Sequence, residues 1–257
     1  LPTVRNLLIE AFSKAGTRLE RRLFAEYGAI FVTRAVPPPK LIFESEDEVA
    51  RFQASLDVSR ARLGQYEIEL QSAAMRELIA AAGEVAALGR SLTARDSDAG
   101  RRSFAETLAL WRRKVSRGLE HWVRMGRMAE RRARQIAAME LLEQVAAILE
   151  LEENESLYFG TYFDKSILSS VAAPGSSQHL SMLAFDVAEY ADQFIERALA
   201  RHGWHRTVIG DLPHFTFLGY EESELASLGL KRVDRDFGGR SYGFWVPDLS
   251  FGMSPRN

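Results

Sequence analysis

Ser177-Gln178-His179-Leu180-Ser181-Met182-Leu183-Ala184-Phe185-Asp186-Val187 and, downstream, Asp211-Leu212-Pro213-His214-Phe215-Thr216-Phe217-Leu218-Gly219 decide how this chain is read. Residues 182–187 and 214–218 read as short strands, because aromatic and apolar residues alternate with small or polar ones and turn residues bound each run. Side chains on a strand alternate between faces. Asp186 therefore shares its face with the small Ala184, and His214 shares one with Thr216, while Phe215 and Phe217 point to the opposite, core side. His179 falls in the loop entering the first strand. Two such strands side by side could converge His179, Asp186 and His214 on one point.

Outward from this segment the texture differs on the two sides. Upstream, residues 3–26 have apolar positions near helical spacing, residues 46–88 read as a long helical region broken near Gly64, and residues 103–148 are helical with an interruption near Gly126. Short strands are expected at 29–33, 41–43 and 91–93. Between the first two, Pro37, Pro38 and Pro39 enforce an extended connection, since proline fixes φ and donates no backbone hydrogen bond. Downstream, further strands are expected at 157–162, 207–209 and 242–246, and one helix at 189–201. The fold class is α+β: long N-terminal helices followed by a small antiparallel-sheet core. Residues 1–70 read as a helical and extended region of unassigned role, and 71–257 as the domain carrying the chemistry.

Composition narrows the function classes. The 257 residues are 46% hydrophobic and 26% charged, with a net charge of −2. That is an ordinary globular composition, neither polyanion-binding overall nor an acidic tail. There is no cysteine, which excludes disulfides, thiolate metal sites, iron–sulfur clusters and cysteine nucleophiles. Any metal must be held by carboxylates and by the histidines at 121, 179, 202, 205 and 214. His121, His202 and His205 read as structural or exposed. No apolar run reaches the roughly 20 residues of a membrane span. The chain opens on Leu1 and shows no export signal, so a leader removed from an exported protein is compatible with it.

Between Arg101 and Arg134 eleven Arg or Lys residues face three Glu. These charges go round the helix instead of forming a stripe. They read as a solvated face paired with the acidic run around Glu150, Glu152, Glu153 and Glu155, and no nucleic-acid partner is expected.

From residue types alone two readings of the His/Asp segment stand side by side. Two histidines and one acid make a reasonable zinc set, leaving a fourth position for water. Alternatively, His214 is a satisfied structural histidine beside Phe215, and Asp211-Leu212-Pro213-His214 is a turn.

Both segments resemble the signature of the D-Ala-D-Ala carboxypeptidase and dipeptidase family of zinc peptidases, which includes vancomycin-resistance dipeptidases and shares its fold with the hedgehog signalling domain. Ser177, His179 and Asp186 match its Ser, one residue, His, six residues, Asp pattern. Asp211, His214, Phe215 and Phe217 match its acid, two residues, His and aromatic strand. The likeness covers about residues 72–220. It implies Zn2+ held by His179, Asp186 and His214, with Asp211 as catalytic base and Ser177 at the substrate. It also implies an arginine that stabilises the oxyanion or holds a substrate carboxylate; Arg102, before Ser103-Phe104, matches best and Arg95 second. The implied partner is a peptidoglycan stem peptide, and the implied location is periplasmic or extracellular. The chain departs from the family at Met182, where glycine is usual, at Asp211, where glutamate is usual, and at Pro213, where tryptophan is frequent. A carboxypeptidase, a peptidoglycan endopeptidase and a catalytically silent wall-binding relative all remain compatible with the motifs.

Overall fold

Thr17 divides the first helical stretch in two. Its side chain accepts from Glu20 N while the Glu20 carboxylate accepts from Thr17 N, a reciprocal cap that starts a new helix. In the computed structural model, which describes residues 4–250, the stretch becomes α1 (Val4–Ser13) and α2 (Arg18–Tyr27). Residue 3, where the expected helix begins, lies outside the described residues. The strand expected at 29–33 is instead a 3-10 turn, Gly28–Val32, with every residue buried. Ile30, Phe31 and Val32 plug the core together instead of alternating across a sheet. No strand forms at 41–43, where Phe43 N donates to Gly175 O.

The long helix expected over 46–88 is three elements. Ser45 caps α3 (Glu46–Ala54), a hairpin follows from β1 (Val58–Leu63) and β2 (Tyr66–Gln71), and α4 (Ser72–Ala87) closes the run. Gly64, at φ +69°, makes the hairpin turn. Tyr66-Glu67-Ile68-Glu69-Leu70 carries period-2 alternation, with Ile68 and Leu70 buried.

The basic region folds as α5 (Phe104–Arg124), α6 (Glu130–Ala137) and α7 (Leu141–Glu155). Its break falls at Gly126, φ +68°. The expected strand at 91–93 reduces to a single bridge between Ala94 and Val187. The expected strand at 157–162 is a loop, because the buried Glu152 carboxylate draws in Phe159 N at 2.9 Å and Ile167 N at 2.7 Å.

Beyond residue 170 come β3 (Ala184–Asp186), α8 (Gln193–Arg201), β4 (Trp204–His205), β5 (His214–Phe217), β6 (Leu230–Phe237) and β7 (Arg240–Pro247). No strand forms at 207–209, where one is expected; β4 lies just before it. β6 was not expected, since most of it is exposed and charged. The chain is thus mixed α+β, with small antiparallel sheets and helices predominating in the N-terminal half.

The sheet that positions the site has the order β3-β5-β4 and is antiparallel. Phe185 lies opposite Phe215, and Trp204 opposite Phe217. Their faces join one core with Leu8, Phe24, Ile68 and Leu70, so residues before and after position 71 share it. Each large side chain buried there contributes about 1.5–3 kcal/mol, which holds the other face of the sheet in register.

Candidate metal centre

Asp186 and His214 are direct cross-strand partners of β3 and β5, on the face opposite Phe185 and Phe215. His179 reaches the same point from the 3-10 turn Gln178–Ser181. One ligand atom from each of His179, Asp186 and His214 lies within 4.8 Å of the others, and all three residues are buried. The cluster could hold a metal ion. Asp186 Oδ1 is 3.4 Å from His179 Nε2 and 3.2 Å from His214 Nδ1.

The hydrogen bonds behind the two rings settle which nitrogens face inward. His179 Nδ1 is 2.6 Å from Gly100 O, which can only accept, so Nδ1 carries the proton and Nε2 a lone pair. His214 Nε2 lies 2.9 Å from Gln178 Oε1. The Gln178 amide cannot be turned round, because its Nε2 donates to Tyr27 O at 3.1 Å, while its Oε1 accepts from the hydroxyls of Thr207 and Thr216. His214 Nε2 is therefore a donor, and Nδ1 presents the lone pair. Two imidazole lone pairs and a carboxylate oxygen thus converge, an arrangement that repels itself unless a cation sits among them. His179 Nε2 is buried with no hydrogen-bond partner, although buried polar atoms are nearly always satisfied.

Electrostatics agree with that reading. Burial, and then the Arg102 charge, push His179 down to about 4, so the ring is neutral at pH 7. Burial alone would raise Asp186; protonated His179 and His214 rings donating to it would hold the carboxyl well below the usual range, a part that falls to a cation where the rings are neutral. The outer oxygen of Asp186 accepts from Arg102 Nη2 at 2.7 Å. Arg102 Nε donates to Asp98 O at 2.9 Å and lies 3.3 Å from the Asp98 carboxylate.

Of the other expected site residues, Ser177 and Asp211 line a cleft of ≈ 90 Å³ together with Arg102, Gln178, His179 and His214. Asp211 is pushed up to about 6, first by burial and then by the Asp186 charge, with His214, Arg102 and Arg95 pulling the other way. Arg95 is exposed; its backbone N donates to Asp186 O at 3.0 Å. Met182 sits at φ +56°, where the family resembled has glycine. A left-handed backbone costs any side chain, and Met182 adopts it while its own is buried in the core. His205, buried, bonds Tyr220 O at 2.8 Å, and His202 lies between Glu77 and Glu84; neither joins the cluster. Gly100 and Gln178, which orient the ligands, carry no signal in a single sequence beyond their nearness to the motif.

Compared with family models, with curated proteins and with solved structures, the chain finds no match. Among the described residues no helix is long and apolar enough to cross a membrane.

Proposed function

We propose that this chain is a zinc-dependent peptidase acting on peptidoglycan stem peptides that contain D-amino acids, most simply a D-alanyl-D-alanine carboxypeptidase working outside the cytoplasm. The observation that carries the metal assignment is the inward-facing, buried and unpartnered Nε2 of His179, set among the lone pair of His214 Nδ1 and the Asp186 carboxylate. Two nitrogens and one oxygen suit zinc, whose catalytic sites keep three protein ligands and one further position. The substrate class rests on the two motifs around His179 and His214.

His179, Asp186 and His214 would hold the ion, which when bound supplies Lewis acidity toward a peptide carbonyl and toward water. Asp211, poised near neutrality, takes a proton from the water whose oxygen attacks the carbonyl carbon. It returns that proton to the amine as the C–N bond breaks. The products are a carboxylate and a free amine. Arg102 is bound to Asp186 and Asp98, so it acts through the ligand as a positioning residue. Arg95 makes no side-chain hydrogen bond or ion pair among the described residues; its charge acts on Asp211, and it is the arginine left to meet a carboxylate or oxyanion.

The test is mass spectrometry of purified muropeptides incubated with zinc-loaded protein. Loss of one terminal alanine from stems ending in D-Ala-D-Ala, absent with Asp211→Asn, supports the assignment. Cleavage within the stem or cross-bridge would make the chain an endopeptidase. Muropeptides left intact would remove the substrate assignment.

A further inference from the structure

The basic region of α5 is only partly accounted for by ion pairs. Further along the chain Arg132 meets Glu155 at 2.6 Å and Arg134 meets Glu130 at 2.7 Å, while Arg127 donates to the backbone O of Glu155. Among the described residues Arg113, Lys114 and Arg117 meet no carboxylate, and neither does Lys165 in the loop after α7. Lys114 has the other three as charged neighbours, and Lys165 Nζ also lies over the Phe237 ring at 5.6 Å. The Lys114 ammonium is pushed down by burial and then by Arg117, Arg113 and Lys165.

Their grouping is built into the fold. Gly118 of α5 lies against the Phe159 ring so closely that a Cβ there would come within 2.1 Å of it. The loop is then pinned at both ends by the Glu152 carboxylate. Lys165 is thereby carried on a fixed loop beside α5, and Lys114 Nζ donates to Thr161 Oγ1 of the same loop at 2.8 Å. Like charges held together without counter-ions cost stability, a cost that a bound anion removes.

Arg113 and Lys114 line the same cleft as His179, Asp211 and His214. Thr107, Leu110 and Lys114 follow one face of α5 into it, and Arg117 continues the face by one turn. At 1.5 Å per residue, the cations stand roughly 10–15 Å along the helix from Thr107. That is about three to four residues of extended peptide.

We propose that Arg113, Lys114, Arg117 and Lys165 form a subsite for a carboxylate carried by the peptide substrate about three to four residues from the bond that is cut. The proposal rests on the peptidase reading for the identity of the ligand, and adds the charge and spacing that the substrate must have. Arg113 and Lys114, which read as part of a solvated face in the sequence, thus become the part of the cleft that selects an acidic peptide.

The experiment is calorimetric titration of the zinc-loaded full chain with acetyl-Glu-Ala-D-Ala-D-Ala and with its Gln counterpart, at low and at high salt. Turnover of both peptides is read in parallel. The acidic peptide should bind about tenfold tighter at low salt, the scale of one charge-assisted contact. The advantage should shrink at high salt, and fall below about twofold in the double variant Lys114→Gln, Arg117→Gln, again on the scale of a lost ion pair. Both side chains have solvent access, and circular dichroism checks that the variant keeps its fold. Equal binding of the two peptides, a preference that survives the variant, or no binding of either would overturn the subsite. Tighter binding of a single-stranded oligonucleotide than of the acidic peptide would overturn it as well, since the cations would then serve a polyanion. A charge preference without hydrolysis of either peptide would keep the subsite and sink the peptidase reading, so the two failures are told apart.

Discussion

Arg102 and Asp186 form a largely buried pair in which Arg102 Nη2 donates to Oδ2 at 2.7 Å, leaving Oδ1 to face the two imidazoles. One oxygen of the carboxylate is committed to the protein, and the other is aimed at the point between His179 and His214. Removing the guanidinium would leave a buried carboxylate without its charge partner. Arg102→Ala should therefore lower stability by about 3–5 kcal/mol in chelator-treated protein, the scale for breaking a buried pair. Zinc should restore part of the loss. Thermal melts with and without zinc read this directly, and an unchanged melting temperature would separate Arg102 from the ligand.

Gln178 holds the proton of His214 on Nε2 through an amide that Tyr27 O prevents from turning. Gln178→Leu should free that ring and weaken zinc by about 10–100-fold, the usual effect of losing a partner behind a metal ligand. Gln178→Glu, which keeps the accepting oxygen, should bind zinc more tightly than Gln178→Leu. Chelator competition measures both, and equal affinities would show that the tautomer is set elsewhere.

Asp211 gives a paired prediction for stability and activity. Its folded pKa of about 6 lies above the ordinary aspartate value of 3.8, so the folded state holds the proton more tightly than the unfolded one. Stability from this group is present at low pH and is lost as pH rises through about 6. Metal-free Asp211→Asn should therefore be more stable than wild type at about pH 8, by about 1–3 kcal/mol, and no more stable below about pH 4. In zinc-loaded protein the same change should retain the metal and reduce turnover at least about hundredfold. Denaturant titrations at the two pH values check the first part, and a loss of stability at high pH would contradict it.

Met182 reverses the usual ranking of alanine and glycine. Its φ of +56° is unfavourable for any side chain, while its own side chain is buried at 1% exposure. Met182→Ala should cost about 2–5 kcal/mol through the cavity it leaves. Met182→Gly leaves a similar cavity but relieves the backbone, and should be about 1 kcal/mol more stable than the alanine variant. Chemical denaturation of the two proteins decides it.

The parts of this fold legible in the sequence are those where a local pattern and burial agree. Alternation around Phe185 and Phe215 places Asp186 and His214 on one face, and the structure pairs those two residues across the strands. The helix break at Gly126 follows from its left-handed backbone. The hairpin of β1 and β2 reads as helix in the sequence because the apolar spacing of α3 and α4 on either side runs across it, and it overrides the turn signal of Gly64 and the alternation of Tyr66 to Leu70. β6 has no apolar period to read; its partner β7 supplies the buried face. The tertiary contacts of the site lay beyond any local pattern. Gly100 reaches His179 from 79 residues away, Arg102 reaches Asp186 from 84, and Gln178 acts through an orientation that Tyr27 sets.

The central claim is that His179, Asp186 and His214 converge on a metal ion. Elemental analysis of the purified chain, with zinc affinity from chelator competition, tests it in wild type and in His179→Ala and His214→Ala. The account predicts about one zinc per wild-type chain and a loss of at least about hundredfold in affinity for each variant, as expected when one of three protein ligands is removed. A wild-type chain that takes up no divalent metal, or histidine variants that keep the wild-type zinc content, would contradict it.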